Sequence, residues 1–216
     1  MSLALAGCGL FSNRDGAGIG YYLPLTVQLR PASSIAAAQV QYQDACGYPK
    51  SLPIGAMLEE AVKRKSGRVF EKVVTDQSGA TPVDGYEDVS LGMTRLDLVI
   101  SRKANTSYPA TLAIGLDFAY TAADGTVLFT KKLQSLGRGD VDVTESSCEV
   151  KGLDKIAQEA ISNVTDGMAK QLGTSSKILV AAEVRKTGAP RTGGAVPPSP
   201  IAAGDAYEAV TAQPKA

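Results

Sequence analysis

Apolar residues recur along this chain at two periods, and the switches between them mark out its elements. From Tyr21 to Arg30 the alternation is strict. Tyr21, Leu23, Leu25, Val27 and Leu29 share one face, and Tyr22, Thr26, Gln28 and Arg30 the other, which predicts a half-buried strand. Pro24, on the polar face, cannot donate to a ladder and predicts an edge position or the start of the strand; Pro31 ends it. Residues 32–50 show no single period, and Ala36 to Tyr42 reads equally as a strand or a turn of helix. The next period is helical. Ile54, Met57, Leu58, Ala61 and Val62 form one stripe of a helix expected over Leu52–Ser66, with Ser51 as its cap, Pro53 in its first turn and Gly67 as its stop. Glu59–Lys63 and Glu60–Arg64 are favourable pairs on its wet face.

Beyond this helix, Val69 to Thr75 reads as a short strand, and Gln77 to Asp88, with Gly79, Pro82 and Gly85, as a loop. Met93 to Ser101 alternates, with Leu96, Leu98 and Ile100 inward and Arg95 and Asp97 outward. Lys103 to Pro109 is read as a second loop. Leu112, Ile114, Leu116, Phe118 and Tyr120 make the clearest strand, and Asp124-Gly125 turns it into an antiparallel return over Val127–Leu133, because such a step readily takes positive φ. Gly137-Arg138-Gly139-Asp140 opens a polar stretch that passes Cys148. Leu153, Ile156, Ala157, Ala160, Ile161, Val164, Met168 and Leu172 then hold one stripe of a long helix with Gly173 at its cap. Ser176 to Val184 reads as a strand or a second helical piece. From Lys186 on, Pro, Gly, Ala and Thr carry no apolar period, so 186–216 is expected to be a disordered tail and 21–185 a single domain.

Two striped helices must bury their apolar sides against the inner faces of the strands. The expected fold class is therefore α+β: a two-layer sandwich, its sheet of four or five strands largely antiparallel, with two long helices on one face.

Composition narrows the chemistry. Lys plus Arg and Asp plus Glu number 22 each, so the formal net charge is zero and no basic surface for nucleic acid is announced. The cluster of Lys63, Arg64, Lys65, Arg68 and Lys72 reads as a solvated helix face. No apolar run reaches the length of a membrane-spanning helix. Histidine is absent, which excludes Ser-His-Asp and Cys-His nucleophile pairs and imidazole-based zinc sites.

The remaining motifs are weak. Gly16-x-Gly18-x-Gly20 precedes a strand rather than joining a strand to a helix, so it reads as tether and not as a dinucleotide loop. Asp97 and Asp117 offer a carboxylate couple, read as solvent-side strand positions. Asp140 and Asp142 lack calcium-loop spacing, and Asn105-Thr106-Ser107 matches a eukaryotic glycosylation acceptor. No catalytic, cofactor-binding or metal site is expected, and no enzymatic activity.

The amino terminus carries a resemblance. Leu5-Ala6-Gly7-Cys8 resembles the lipobox of bacterial lipoproteins, where a peptidase cuts before a cysteine whose thiol is then alkylated with diacylglycerol. Residues 1–8 would then be the remnant of a signal peptide and 9–20 a glycine-rich flexible tether. The sequence departs from the pattern in having no Lys or Arg before Cys8 and an apolar stretch confined to Leu3–Ala6. That places the true start upstream or a cut within the leader; the bland alternative is an Ala/Gly/Leu-rich start with an ordinary buried cysteine. With Cys8 set aside, Cys46 and Cys148 form an even pair in what the resemblance implies is an oxidising compartment. A bridge between them is expected, the alternative being two separate thiols.

The lipobox, the leading strand and the passage Pro53-Ile54-Gly55 to Gly67-Arg68-Val69-Phe70-Glu71-Lys72-Val73 together resemble small outer-membrane lipoproteins of the YajG and LPS-assembly-lipoprotein type, over about two-thirds of the chain by pattern. The resemblance implies anchorage through Cys8 at the periplasmic face of the outer membrane, since Gly9 is not the aspartate that retains such proteins in the inner membrane. The function expected is that of an accessory or assembly protein binding another envelope protein, the Tyr21–Arg30 strand being the natural docking edge. The rival is a lipoprotein that carries a lipid or glycan between helices and sheet. A large cavity under the helices would favour the rival, and a filled core the first reading.

Overall fold

The computed structural model describes residues 22–75, 86–101 and 107–187. The first strand, β1 (Leu23–Pro31), is followed by a single helical turn, α1 (Ser33–Ala36), and a small hairpin of β2 (Val40–Gln43) and β3 (Pro49–Leu52). Helix α2 (Ile54–Val69) leads into β4 (Phe70–Thr75). Three long strands come next, β5 (Glu87–Ile100), β6 (Ser107–Thr121) and β7 (Val127–Thr144), then a short β8 (Glu149–Lys151) and the helices α3 (Leu153–Thr174) and α4 (Ser176–Thr187).

Six strands form one sheet in the order β4-β1-β5-β6-β7-β8, and β2-β3 form a second sheet of their own. The large sheet is mixed. β1 runs parallel to both β4 and β5, and the pairs from β5 to β8 are antiparallel. The fold is α+β as expected, but with six strands rather than four or five and with a parallel half. The physical source of the difference is the crossover: α2 returns the chain so that β4 lies beside β1 in the same direction.

β1 is thus an interior strand and not the expected edge. Its donor-less Pro24 is accommodated because pairing with β4 slips by one residue between Leu23 and Thr26, while pairing with β5 begins only at Val27. The inner row of this strand, Leu23, Leu25, Val27 and Leu29, is buried. It continues across the sheet into Val89 and Leu91 of β5 and into Leu112, Ile114, Leu116, Phe118 and Tyr120 of β6. Phe70 at the start of β4 and Tyr120 stack at 6.1 Å between ring centroids, both fully buried.

The stripes of α2 and α3 lie in the same core cluster, and the two helices touch along their length. They are also joined by an ion pair between Lys65 and Asp166, whose other oxygen accepts from Ser162 Oγ at 3.1 Å. α2 begins at Ile54 with Pro53 as its cap residue, because Ser51 is already committed to β3. It runs through Gly67, which lies in open space, to Val69. α3 likewise passes through the buried Gly173 before ending. The segment from Ser176 is the helix α4, which takes in the first two residues of the expected tail.

The Asp124-Gly125 turn is formed as read: Gly125 has φ +83°, and Thr126 N–H donates to Asp124 Oδ1 at 2.9 Å. The return strand, however, does not stop at Leu133. Gly137 to Asp142, read as a polar stretch, is the second half of β7, paired with Ser107–Leu112. Glycine at 137 interrupts the apolar alternation because α3 sits directly on the strand there. A Cβ at this position would lie 1.9 Å from the Ile156 carbonyl oxygen. Two residues earlier, Ser135 Oγ donates to the Ala160 carbonyl oxygen at 2.6 Å. Gly137→Ala is therefore expected to lift α3 off the sheet and to cost about 1–3 kcal/mol, read from urea unfolding midpoints. Gly67→Ala, made in open space, should not reduce stability.

Candidate functional site

The residues expected from sequence to matter lie near the amino terminus, in two turn-like segments and on strand faces, and the structure reaches only some of them. Cys8 and the tether lie outside the described residues, as does all of Asn105-Thr106-Ser107 except Ser107. Cys46 and Cys148 are bridged, with Cα atoms 5.0 Å apart and a sequence separation of 102. The bond ties the tip of the β2–β3 hairpin to the turn before β8. Closing so long a loop contributes up to ~4.7 kcal/mol in the chain-entropy model.

Asp97 and Asp117 do not meet. Asp97 lies opposite Ala113 and pairs with Arg95 at 2.5 Å, whereas Asp117 lies opposite Gly92. Asp140 and Asp142 are exposed positions along β7, and no group of three metal-ligating side chains occurs among the described residues. The basic run on α2 is mostly exposed, with Arg64 3.6 Å from Glu60 and Lys65 turned to α3.

A carboxylate pair that the sequence concealed lies at the start of β5, in residues read as loop. Glu87 and Asp88 are 0% and 1% exposed. Successive strand residues point to opposite faces, so the two acids meet separate arginines. On the outer face Arg30 of β1 grips Asp88 with two bonds, Nε to Oδ1 at 2.5 Å and Nη2 to Oδ2 at 2.6 Å. On the inner face Glu87 Oε1 accepts from Arg185 of α4 at 3.1 Å, which holds the last helix against the sheet. The legible signal was Arg30 on the polar face of β1; its partner was hidden because no apolar alternation precedes Val89.

Among the described residues, three surfaces offer themselves to a ligand or partner. The first is a groove of about 310 Å³ between α2 and the carboxyl ends of β1 and β4. Leu29, Ile35 and Leu91 form its apolar floor, while Glu59, Glu60 and Lys63 line its rim. The second is the outer sheet face, where Val99 (58% exposed) and Leu136 (42%) stand among Arg95, Asp97 and Arg138. The third is the disulfide-tied hairpin, with Tyr48 64% exposed at its turn.

Within the hairpin, Asp44 Oδ1 accepts from the N–H groups of Cys46 and Tyr48, each at 2.9 Å. Burial first, then the carboxylates of Asp154 and Asp44, holds the Tyr42 hydroxyl above its ordinary pKa. The open margins of the large sheet, β4 on one side and the part of β7 that the short β8 leaves unpaired on the other, are guarded. β4 shows Glu71 and Lys72 to solvent, β7 shows Lys131 and Lys132, and the Arg138 N–H of β7 donates to Glu159 at 3.1 Å.

Compared with known proteins, the chain matches no family model and no curated protein. Among solved structures it is similar to a minor lipoprotein from Acinetobacter baumannii, at 9% identity over 68% of this chain and 91% of that one, with a TM-score of 0.41. So slight a likeness carries no argument about function. No described helix is long and apolar enough to cross a membrane.

Arg30→Met should leave the Asp88 carboxylate buried beside an apolar side chain and cost about 3 kcal/mol, measured by urea denaturation. The double variant Arg30→Met with Asp88→Leu should recover most of that loss, since it removes both charges together.

Proposed function

We propose that this chain is a lipid-anchored accessory protein of the bacterial cell envelope, of the YajG and LPS-assembly-lipoprotein type. It would work without catalysis, by binding another envelope protein. The observation that carries this reading is the filled core. The inner row of β6, from Leu112 to Tyr120, is covered closely enough that α3 rests on the β7 backbone at Gly137. A domain packed this way acts through its exterior. Anchorage is assigned to Cys8, at the periplasmic face of the outer membrane, with the glycine-rich stretch behind it as tether.

Docking cannot use β1, which is interior, and the guarded edges of β4 and β7 are poor templates for strand addition. The outer sheet face around Val99 and Leu136 and the hairpin around Tyr48 are the contact surfaces we assign instead. A second reading, that the protein carries a lipid or glycan, is favoured only by the groove over Leu29, Ile35 and Leu91. Its volume is at the lower end of the range for small-molecule sites.

Two arms test the proposal. Cys8→Ala should move the protein from the membrane to the soluble periplasmic fraction; persistent membrane association would contradict the anchor. Photocrosslinkers at Leu136 and Tyr48, followed by pull-down from solubilised envelopes, should trap one defined envelope protein, whereas a crosslinker at Lys63 beside the groove should not. The reverse pattern, with lipid recovered at Lys63, favours the second reading.

A further inference from the structure

The bridge between Cys46 and Cys148 lies where it controls one element. The β2–β3 hairpin shares no strand pairing with the six-stranded sheet. Of its strand residues only Val40 is buried, with Tyr42 and Leu52 half-buried against the core. A two-stranded hairpin with so little covered surface is marginally stable by itself. Its root is held by the bond from Gly55 N–H to the Ala38 carbonyl oxygen, 2.8 Å. Its tip is held by the disulfide to Cys148, with Cys46 Sγ 3.5 Å from the Glu145 carbonyl oxygen.

The far end of the clasp is itself strained. Cys148 has φ +52°, the one non-glycine positive φ among the described residues, between a 3-10 turn (Glu145–Ser147) and the three-residue β8. Cys46 is exposed and Cys148 only half-covered, so a thiol can reach the bond from solvent. The body does not depend on this clasp for its packing, because neither cysteine belongs to the core cluster that joins α2, α3 and the large sheet.

We propose that Cys46–Cys148 is a thiol-responsive clasp that releases residues 40–52 as a mobile arm while the rest of the domain stays folded. The reductant is an envelope dithiol. One thiolate of the dithiol attacks the exposed Cys46 sulfur, and the Cys148 thiolate leaves and takes up a proton. The second thiol of the dithiol, after losing its proton, attacks the mixed disulfide and releases the Cys46 thiolate, which is protonated in turn. Two electrons pass to the cysteine pair, and the dithiol leaves as a disulfide. Opening the clasp also lets Cys148 leave the left-handed region, which favours the released state. The proposal stands whether or not the chain is lipid-anchored, since it rests on the bridge and its surroundings alone.

The test treats the full-length chain with dithiothreitol under native conditions and follows intact mass and amide hydrogen exchange together. A gain of two hydrogens should be accompanied by exchange about tenfold faster or more across residues 40–52, with α2 and α3 still the most protected elements. Cys46→Ser should show the fast exchange without reductant and no further response to it. Three results would overturn the clasp: an arm as protected after reduction as before, loss of protection in α2 and α3 to the level of the arm, or a bond that resists dithiothreitol until the protein unfolds. A Cys46→Ser arm as well protected as the oxidised protein would overturn it equally.

Discussion

The seating of α3 on β7 is the constraint on which the other features rest. At Gly137 the strand presents bare backbone to the helix, and the Ile156 carbonyl oxygen occupies the space where a side chain would stand. That close approach brings the α3 stripe, from Leu153 to Leu172, down onto the inner row of β6, and it brings α2 in beside α3. Among the described residues, the side chains between the layers form one continuous buried cluster. The groove at the carboxyl ends of β1 and β4 opens at the surface rather than under the helices. On the proposed reading, function falls to exposed elements, and the packed interior is the scaffold that holds them.

Charge reinforces the same arrangement at the other end of the sheet. Glu87 and Asp88 occupy consecutive positions of an interior strand, a costly place for two carboxylates unless each is matched. The alternation of the strand separates them onto opposite faces. Asp88 fastens β5 to β1 through Arg30, and Glu87 fastens α4 through Arg185. Their net contribution to stability is modest, because desolvation offsets most of the attraction; their larger effect is to fix which strand neighbours β1 and where the last helix lies. The disulfide adds a third tie, and it acts on the small hairpin outside the main sheet.

Much of the architecture was legible because its signals are local. The β1 alternation, the stripes of α2 and α3, the Asp124-Gly125 turn and the pairing of Cys46 with Cys148 all appear in the structure. Two of the misread stretches share one cause: residues chosen for a contact distant in sequence. Gly137 and Gly139 read as the start of a polar stretch because the helix that needs them begins at Leu153. Glu87 and Asp88 looked like a loop because their arginines lie at positions 30 and 185. Pro24 signalled an edge, yet the one-residue slip against β4 lets it sit in an interior strand. The parallel pairing of β1 left no mark of its own, since a strand buried on one face alternates alike in either direction. The resemblance of Leu5-Ala6-Gly7-Cys8 to a lipobox is a reading of the sequence, on residues outside those described.

The central claim is that helices and sheet close on each other completely, so that this domain acts by its surface. The most direct measurement is a titration with a medium-chain fatty acid followed through side-chain methyl NMR shifts. The account predicts that the methyls of Leu112, Ile114, Leu116, Ile161 and Leu172 stay unmoved at every concentration, even if those of Leu29 and Leu91 respond in the groove. Saturable shifts at the first group would mean that the layers part to admit a ligand, and would contradict it.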